Sequence, residues 1–229
     1  SRHAVRLAGR GAPQEALASI DRAIDRLGAI ADPRLVDDPA KALTVERLSL
    51  LGSAWKRRAL VSEADRPASL QRMLASYRQA GDLAFEKHKR VDPYPLLNRL
   101  TAELALAWQE GRPGIAPEAL EAFRKGLSDG RLELESARAK APEVWGRIGL
   151  CDIALLAALA EASFDDRTTA SIAEAYREAR RLASPREFES VFDQFDFLGA
   201  MAGENDAVLQ FLGSIRTRIQ GPAGESFRD

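Results

Sequence analysis

Three consecutive bases, Lys56, Arg57 and Arg58, close the stretch ERLSLLGSAWKRRALV from Glu46 to Val61. Ammonium and guanidinium groups side by side are donors for carboxylates or phosphates. A second basic group, Glu86-Lys87-His88-Lys89-Arg90, would suit an anionic partner too, but bases at the C-terminal end of a helix are stabilised by its dipole without any ligand. Other chemistry is sparse. His3 and His88 are the only histidines and Cys151 the only cysteine, with no HExxH pair and no paired CxxC, so neither a zinc site nor a Cys-His nucleophile is supported. Cys151 stands beside Ile153 to Leu156 in the most apolar stretch and reads as a buried thiol. Its neighbour Asp152 must then be paired or lie on a groove. Asp165 and Asp166 read as a helix start. The glycines form neither GxxxxGK[ST] nor a strand-linked GxGxxG. These observations describe a noncatalytic chain without cofactor or metal.

The 229 residues carry 33 Lys plus Arg against 34 Asp plus Glu, a balance that gives no overall drive toward nucleic acid or an anionic membrane. The charge is polarised, however: residues 1–100 hold 18 basic and 12 acidic side chains, and residues 101–229 hold 15 and 22. Charged partners are therefore favoured locally. A single cysteine suits a reducing cytosol, and no run is long and apolar enough for a bilayer span. The opening SRHAVRLAGRG lacks an initiating Met and reads as part of a helix, which points to a fragment of a longer protein.

The elements that must position these groups are all helical. Ala, Leu, Arg and Glu dominate at intervals of three and four, and alternating β-branched runs and Asn-Gly or Asp-Gly hairpins are missing. Gly and Pro punctuate the chain at Gly11 to Pro13, Asp32 to Pro39, Asp65 to Pro67, Asp92 to Pro95, Gly111 to Pro117, Ala141-Pro142, Phe164 to Arg167, Ser184-Pro185 and Gly203-Glu204. About ten helices with short links follow, counting a truncated first one, and short links make neighbours antiparallel.

A recurring spacing runs through these helices. Leu48, Leu51, Gly52 and Trp55 are echoed by Trp145, Ile148 and Gly149, by Phe188, Val191 and Phe195, and by Leu97, Leu100 and Leu104. Partner helices carry a small or apolar residue, an aromatic four further on and a small residue three beyond: Ala16-Ile20-Ala23, Met73-Tyr77-Ala80, Ala119-Phe123-Gly126, Ile172-Tyr176-Ala179 and the degenerate Val208-Leu212-Ile215. The pattern resembles the tetratricopeptide repeat (TPR), although the aromatic-slot spacings of 57, 46, 53 and 36 exceed the roughly 34-residue standard. Long helices and inserted loops, most clearly Asp32 to Lys41, account for the excess. Gly52 and Gly149 each cost about 1 kcal/mol of helix propensity, tolerable if the missing side chain lets the partner helix approach.

Residues 46–100 resemble more than a generic TPR. Gly52 to Arg57, then Tyr77 to Ala80 with Ala84-Phe85-Glu86, then Asp92 to Asn98, are similar to the TRAFs-binding domain of the mitogen-activated kinase kinase kinases. Similar TPR-like regions accompany effectors in bacterial multidomain signalling and conflict proteins, so the resemblance implies a regulatory scaffold in such a protein.

The expected fold is all-α: antiparallel helix pairs stacked as a TPR-like right-handed solenoid, one domain over residues 1–229, with a flexible tail at Gln220 to Asp229. In such a stack the first helix of each pair lines the concave face. Residues beyond the glycine slot then look into the groove: Ser53, Lys56 and Arg57, followed by Asn98 and Arg99, Arg147, and Asp193 and Asp196. A peptide, a partner protein or an effector domain of the same chain would sit there; the alternative is a sensor binding a small anionic or nucleotide ligand through Lys56, Arg57, Asn98 and Arg147. The Phe-rich stretch Phe188 to Phe195 has more apolar surface than one stripe needs and would cap the end or support self-association. A cytoplasmic protein binder, with no nucleic acid and no membrane, is the overall expectation.

Overall fold

The computed structural model describes residues 12–32, 34–35, 42–140 and 143–221. Among them are nine α-helices and no strand: α1 (Pro13–Ala31), α2 (Val45–Val61), α3 (Arg66–His88), α4 (Pro93–Gln109), α5 (Pro117–Lys140), α6 (Val144–Ala160), α7 (Asp166–Arg180), α8 (Pro185–Ala202) and α9 (Asp206–Gln220). The truncated opening helix and the tail beyond Gly221 fall outside the described residues, as does most of Asp32 to Lys41.

The punctuation in the sequence becomes cap chemistry. The first orphan amides of a helix need acceptors, and polar side chains just ahead of it supply them. Thr44 accepts from Arg47 N on α2, Asp165 from Thr168 N on α7 and Asn205 from Val208 N on α9. On α8, Ser184 and Glu187 form a reciprocal capping box, with Pro185 in the first turn, where its missing N–H costs nothing. At the other end of α3, Lys89 turns out of the helix with φ 56° and donates its N–H to Phe85 O.

Two compact units make up the chain, one ending at Leu106 and the other beginning at Ala107. In the first, α1 and α2 run antiparallel, because Arg47 at the start of α2 donates to Ile30 O at the end of α1 while Arg58 near its end reaches back to Asp21 in the middle of α1. Ala16, Ile20 and Ile24 of α1 bury against Ala54 of α2, with Leu27, Leu51, Trp55 and Val61 packed around them. Between α2 and α3 the expected close approach is present: a Cβ on Gly52 would lie 2.7 Å from Cε2 of Tyr77, whose ring fills that space at 1% exposure.

In the second unit the same device recurs, since a Cβ on Gly149 of α6 would lie 2.9 Å from a methyl of Leu134 on α5. Tyr176 of α7 is fully buried, meets Phe195 of α8 edge-on at 5.6 Å and donates its hydroxyl to Asp152 Oδ1 at 2.6 Å. The link after α4 brings Gly114 against the end of α6, with Ile115 N donating to Ala160 O at 3.2 Å.

Two slots of the repeat pattern depart from expectation. Trp145, in the first turn of α6, is 52% exposed and does not fill an interhelical space. Ala119, in the first turn of α5, is exposed, and Ala116 just before the helix is buried instead. Both fall where a helix has only begun. The spacing is kept there, but among the described residues no partner helix covers either position.

Candidate functional site

Helical periodicity places Gly52, Ser53, Lys56 and Arg57 on one side of α2, and Trp55 and Arg58 on roughly the opposite side. The two sides have different fates. Arg58 is spent internally: its Nε donates to Asp21 at 2.8 Å and its terminal nitrogens donate to Ser69 and Asp65 at 3.1 Å each. The other side faces Tyr77 of α3. Lys56 and Arg57 are half-buried there, and Arg57 donates weakly to Ser53 O at 3.4 Å.

Tyr77 organises this region. Its ring meets that of Tyr94, at the start of α4, edge-on at 6.2 Å, and Tyr94, Ser53 and Arg57 surround its hydroxyl closely enough to act on its acidity. Burial pushes the Tyr77 hydroxyl well above the ordinary tyrosine range, and Tyr94 adds to this, while Ser53 and the positive charge of Arg57 act in the opposite sense. It therefore stays protonated. Tyr94 is 56% exposed, so the cluster runs from the core to solvent.

On α4, Asn98 donates from Nδ2 to Tyr94 O at 3.0 Å, which holds its amide along the helix. One turn further, Arg99 Nε lies 3.8 Å from Glu103, and Arg78 of α3 reaches the same carboxylate at 3.8 Å. Arg99 Nε is buried and has no hydrogen-bond acceptor among the described residues. One acid is thus shared by two guanidiniums. Taken with Lys56 and Arg57, the region formed by α2, α3 and α4 is cation-rich, with an exposed aromatic ring beside it.

Of the seven residues read from the sequence as groove-facing, four lie in this first unit: Lys56, Arg57, Asn98 and Arg99. The charge of Arg57 acts on the Tyr77 hydroxyl, and Asn98 bonds the backbone of Tyr94, which packs on Tyr77. The other three lie in the second unit: Arg147 is half-buried on α6, and Asp193 and Asp196 are exposed on α8, where Asp196 is ion-paired with Arg216. Sequence reasoning missed Tyr94, Arg78 and Glu103. Tyr94 had a signal, an aromatic between two prolines at a helix start; Glu103 had none, because its bridging depends on α3 and α4 being adjacent.

Catalytic alternatives find little support. Cys151 is buried, and burial together with the charge of Asp152 pushes its thiol up to about 12, so it holds essentially no thiolate at neutral pH. Asp152 is paired, accepting from Tyr176. Among the described residues no group of three or more His, Cys, Asp or Glu is placed to hold a metal ion, and no helix is long and apolar enough to cross a membrane.

Comparison with curated proteins and with solved structures returns no match. A family model does match, over residues 1–107, and it carries the description Tetratricopeptide Repeats-Sensor. The matched stretch contains the whole tyrosine-and-arginine cluster. The N-terminal 107 residues are therefore similar to a sensor-type TPR family, which supports a TPR-like helical repeat.

Proposed function

We propose that the chain is a noncatalytic recognition module of a signalling or defence system, and that the α2, α3 and α4 region receives an acidic segment of a peptide or partner domain, including an effector domain of the same chain. The observation that carries this reading is that Arg78 and Arg99 share the one carboxylate of Glu103, with Lys56 and Arg57 half-buried on α2 and the ring of Tyr94 exposed at the start of α4. Guanidiniums that share one acid retain donors for a second. Tyr94 adds flat, amphipathic contact area at little conformational cost.

A second reading, a sensor binding a small anionic or nucleotide ligand at the same place, is favoured by the description of the matching family and by the size of the cation cluster. Two experiments separate them. Selection from a displayed peptide library should enrich acidic sequences on the parent and not on a folded Lys56→Glu/Arg57→Glu variant; no enrichment of acidic sequences would refute the peptide reading. Thermal denaturation with a panel of nucleotides and phosphorylated metabolites should leave the melting temperature unchanged under the first reading. A shift that Lys56→Ala abolishes would establish the second instead.

A further inference from the structure

On the opposite side of α2 from that cluster lies an open cleft of about 290 Å³, walled by α1 and α3. Its floor is Trp55 with the Arg58 guanidinium 5.9 Å from the ring centroid. Helical spacing puts Asp21, Ile24 and Asp25 of α1 on one wall, and Ala68, Ser69 and Arg72 of α3 on the other.

The charges divide into two classes. Arg58, Asp21 and Asp65 are bound to one another, and Ser69 takes a further guanidinium hydrogen, so this set is internally satisfied. Asp25 and Arg72 also line the cleft, both are exposed, and among the described residues neither side chain has an ion-pair partner. A lone carboxylate and a lone guanidinium face a common space from two helices. Ile24, Trp55 and Ala68 give the same cleft an apolar lining.

From this arrangement the geometry points to a binding site for a small zwitterion: a free amino acid with an apolar side chain, its ammonium on Asp25, its carboxylate on Arg72 and its side chain against Trp55. A phosphate-bearing ligand would meet three carboxylates, with Arg58 already neutralised. A simple cation would leave the Arg72 guanidinium facing it without a counter-charge. The cleft volume lies at the lower edge of ligand sites, which run from about 300 to 1,000 Å³, and this favours a single residue over a folded partner. The site uses neither Lys56 nor Arg57, so it stands independently of the function proposed above.

The test is isothermal titration calorimetry of the 229-residue chain with leucine, methionine and phenylalanine, and with their N-acetyl and methyl-ester forms. At least one free amino acid should bind saturably in the low millimolar range or tighter. Blocking either end should weaken binding by about tenfold or more, because each removes one charge-assisted contact. Asp25→Asn should remove the discrimination against the N-acetyl form, and Arg72→Gln that against the ester. Both side chains are exposed and make no ion pair, so circular dichroism should show both variants folded; the charge exchange Asp25→Arg/Arg72→Asp should restore binding of the zwitterion lost in either single change. Absence of saturable binding to all three amino acids, or equal binding of blocked and free forms, would overturn the assignment.

Discussion

Replacing Gly52 by alanine should destabilise the first unit, although glycine is the poorer helix former. The backbone term alone favours alanine by about 1 kcal/mol. Against it stands the contact with Tyr77: the new Cβ would lie 2.7 Å from Cε2, 2.9 Å from Cδ2 and 3.0 Å from Cζ. Carbon atoms prefer about 3.5–4.0 Å, so the ring would have to retreat by about 1 Å. It has little freedom to do so, being 1% exposed and packed edge-on against Tyr94. Overpacking of this kind costs about 1–3 kcal/mol, and with a clash this close the upper part of that range applies, leaving a net loss of up to about 2 kcal/mol. Gly81 of α3 is the internal control. A Cβ there meets nothing within 4 Å, so Gly81→Ala should gain about 0.5–1 kcal/mol. Urea denaturation followed by circular dichroism measures both, with the slopes checked for equality before midpoints are compared. In a Tyr77→Leu background the penalty at Gly52 should vanish, because the ring that causes it is gone. If Gly52→Ala proved as stable as Gly81→Ala, the close helix approach assigned to this glycine would be refuted.

Gly114→Ala should be more damaging still, by at least about 2 kcal/mol, because its Cβ would lie 2.4 Å from the backbone oxygen of Ala160, which cannot rotate away as a side chain can; urea midpoints test this. Cys151 should resist iodoacetamide at pH 8 in the folded chain and react readily in denaturant, since burial holds its thiol up to about 12; rapid alkylation of native protein would contradict the packing of α6. The carboxyls of Asp165 and Glu187 are held below the usual range by hydrogen bonds from Thr168 and Ser184. Their stabilisation is therefore complete above the ordinary carboxylate range near about 4 and is lost as the pH falls through their lower folded values. Asp165→Asn/Glu187→Gln should accordingly flatten the decline of the urea midpoint between about pH 5 and pH 2.

The helices were legible in the sequence because their ends are written locally. Prolines at 13, 67 and 185 mark first turns, and Thr44, Asp165, Ser184 and Asn205 cap them through residues three positions away. The purpose of Gly52 and Gly149 was also legible, because a glycine in an otherwise strong helix pattern needs a packing reason. Trp145 and Ala119 show where spacing misleads: a repeat motif fixes which residues share a face, but only the partner's length decides whether that face is covered. The site was half visible. Lys56 and Arg57 follow from their offset from the glycine slot, and Asn98 and Arg99, three and two places before the corresponding slot at Thr101, from falling on the same helical face of α4. Arg58 looked identical to its two neighbours, yet it is committed to Asp21, 37 residues earlier in the chain, and no local pattern announces such a partner. The Glu103 bridge and the pairing of Tyr94 with Tyr77 are hidden for the same reason.

The central claim is that the cationic face of α2, α3 and α4 selects an acidic partner. Its most direct test is affinity capture from native lysate with the 229-residue chain and with Lys56→Glu/Arg57→Glu, the two baits matched by circular dichroism and melting temperature and the captured proteins identified by mass spectrometry. The account predicts a protein with an acidic segment that is retained by the parent, released by moderate salt and missing from the variant. Equal retention of the same proteins by both baits would contradict it.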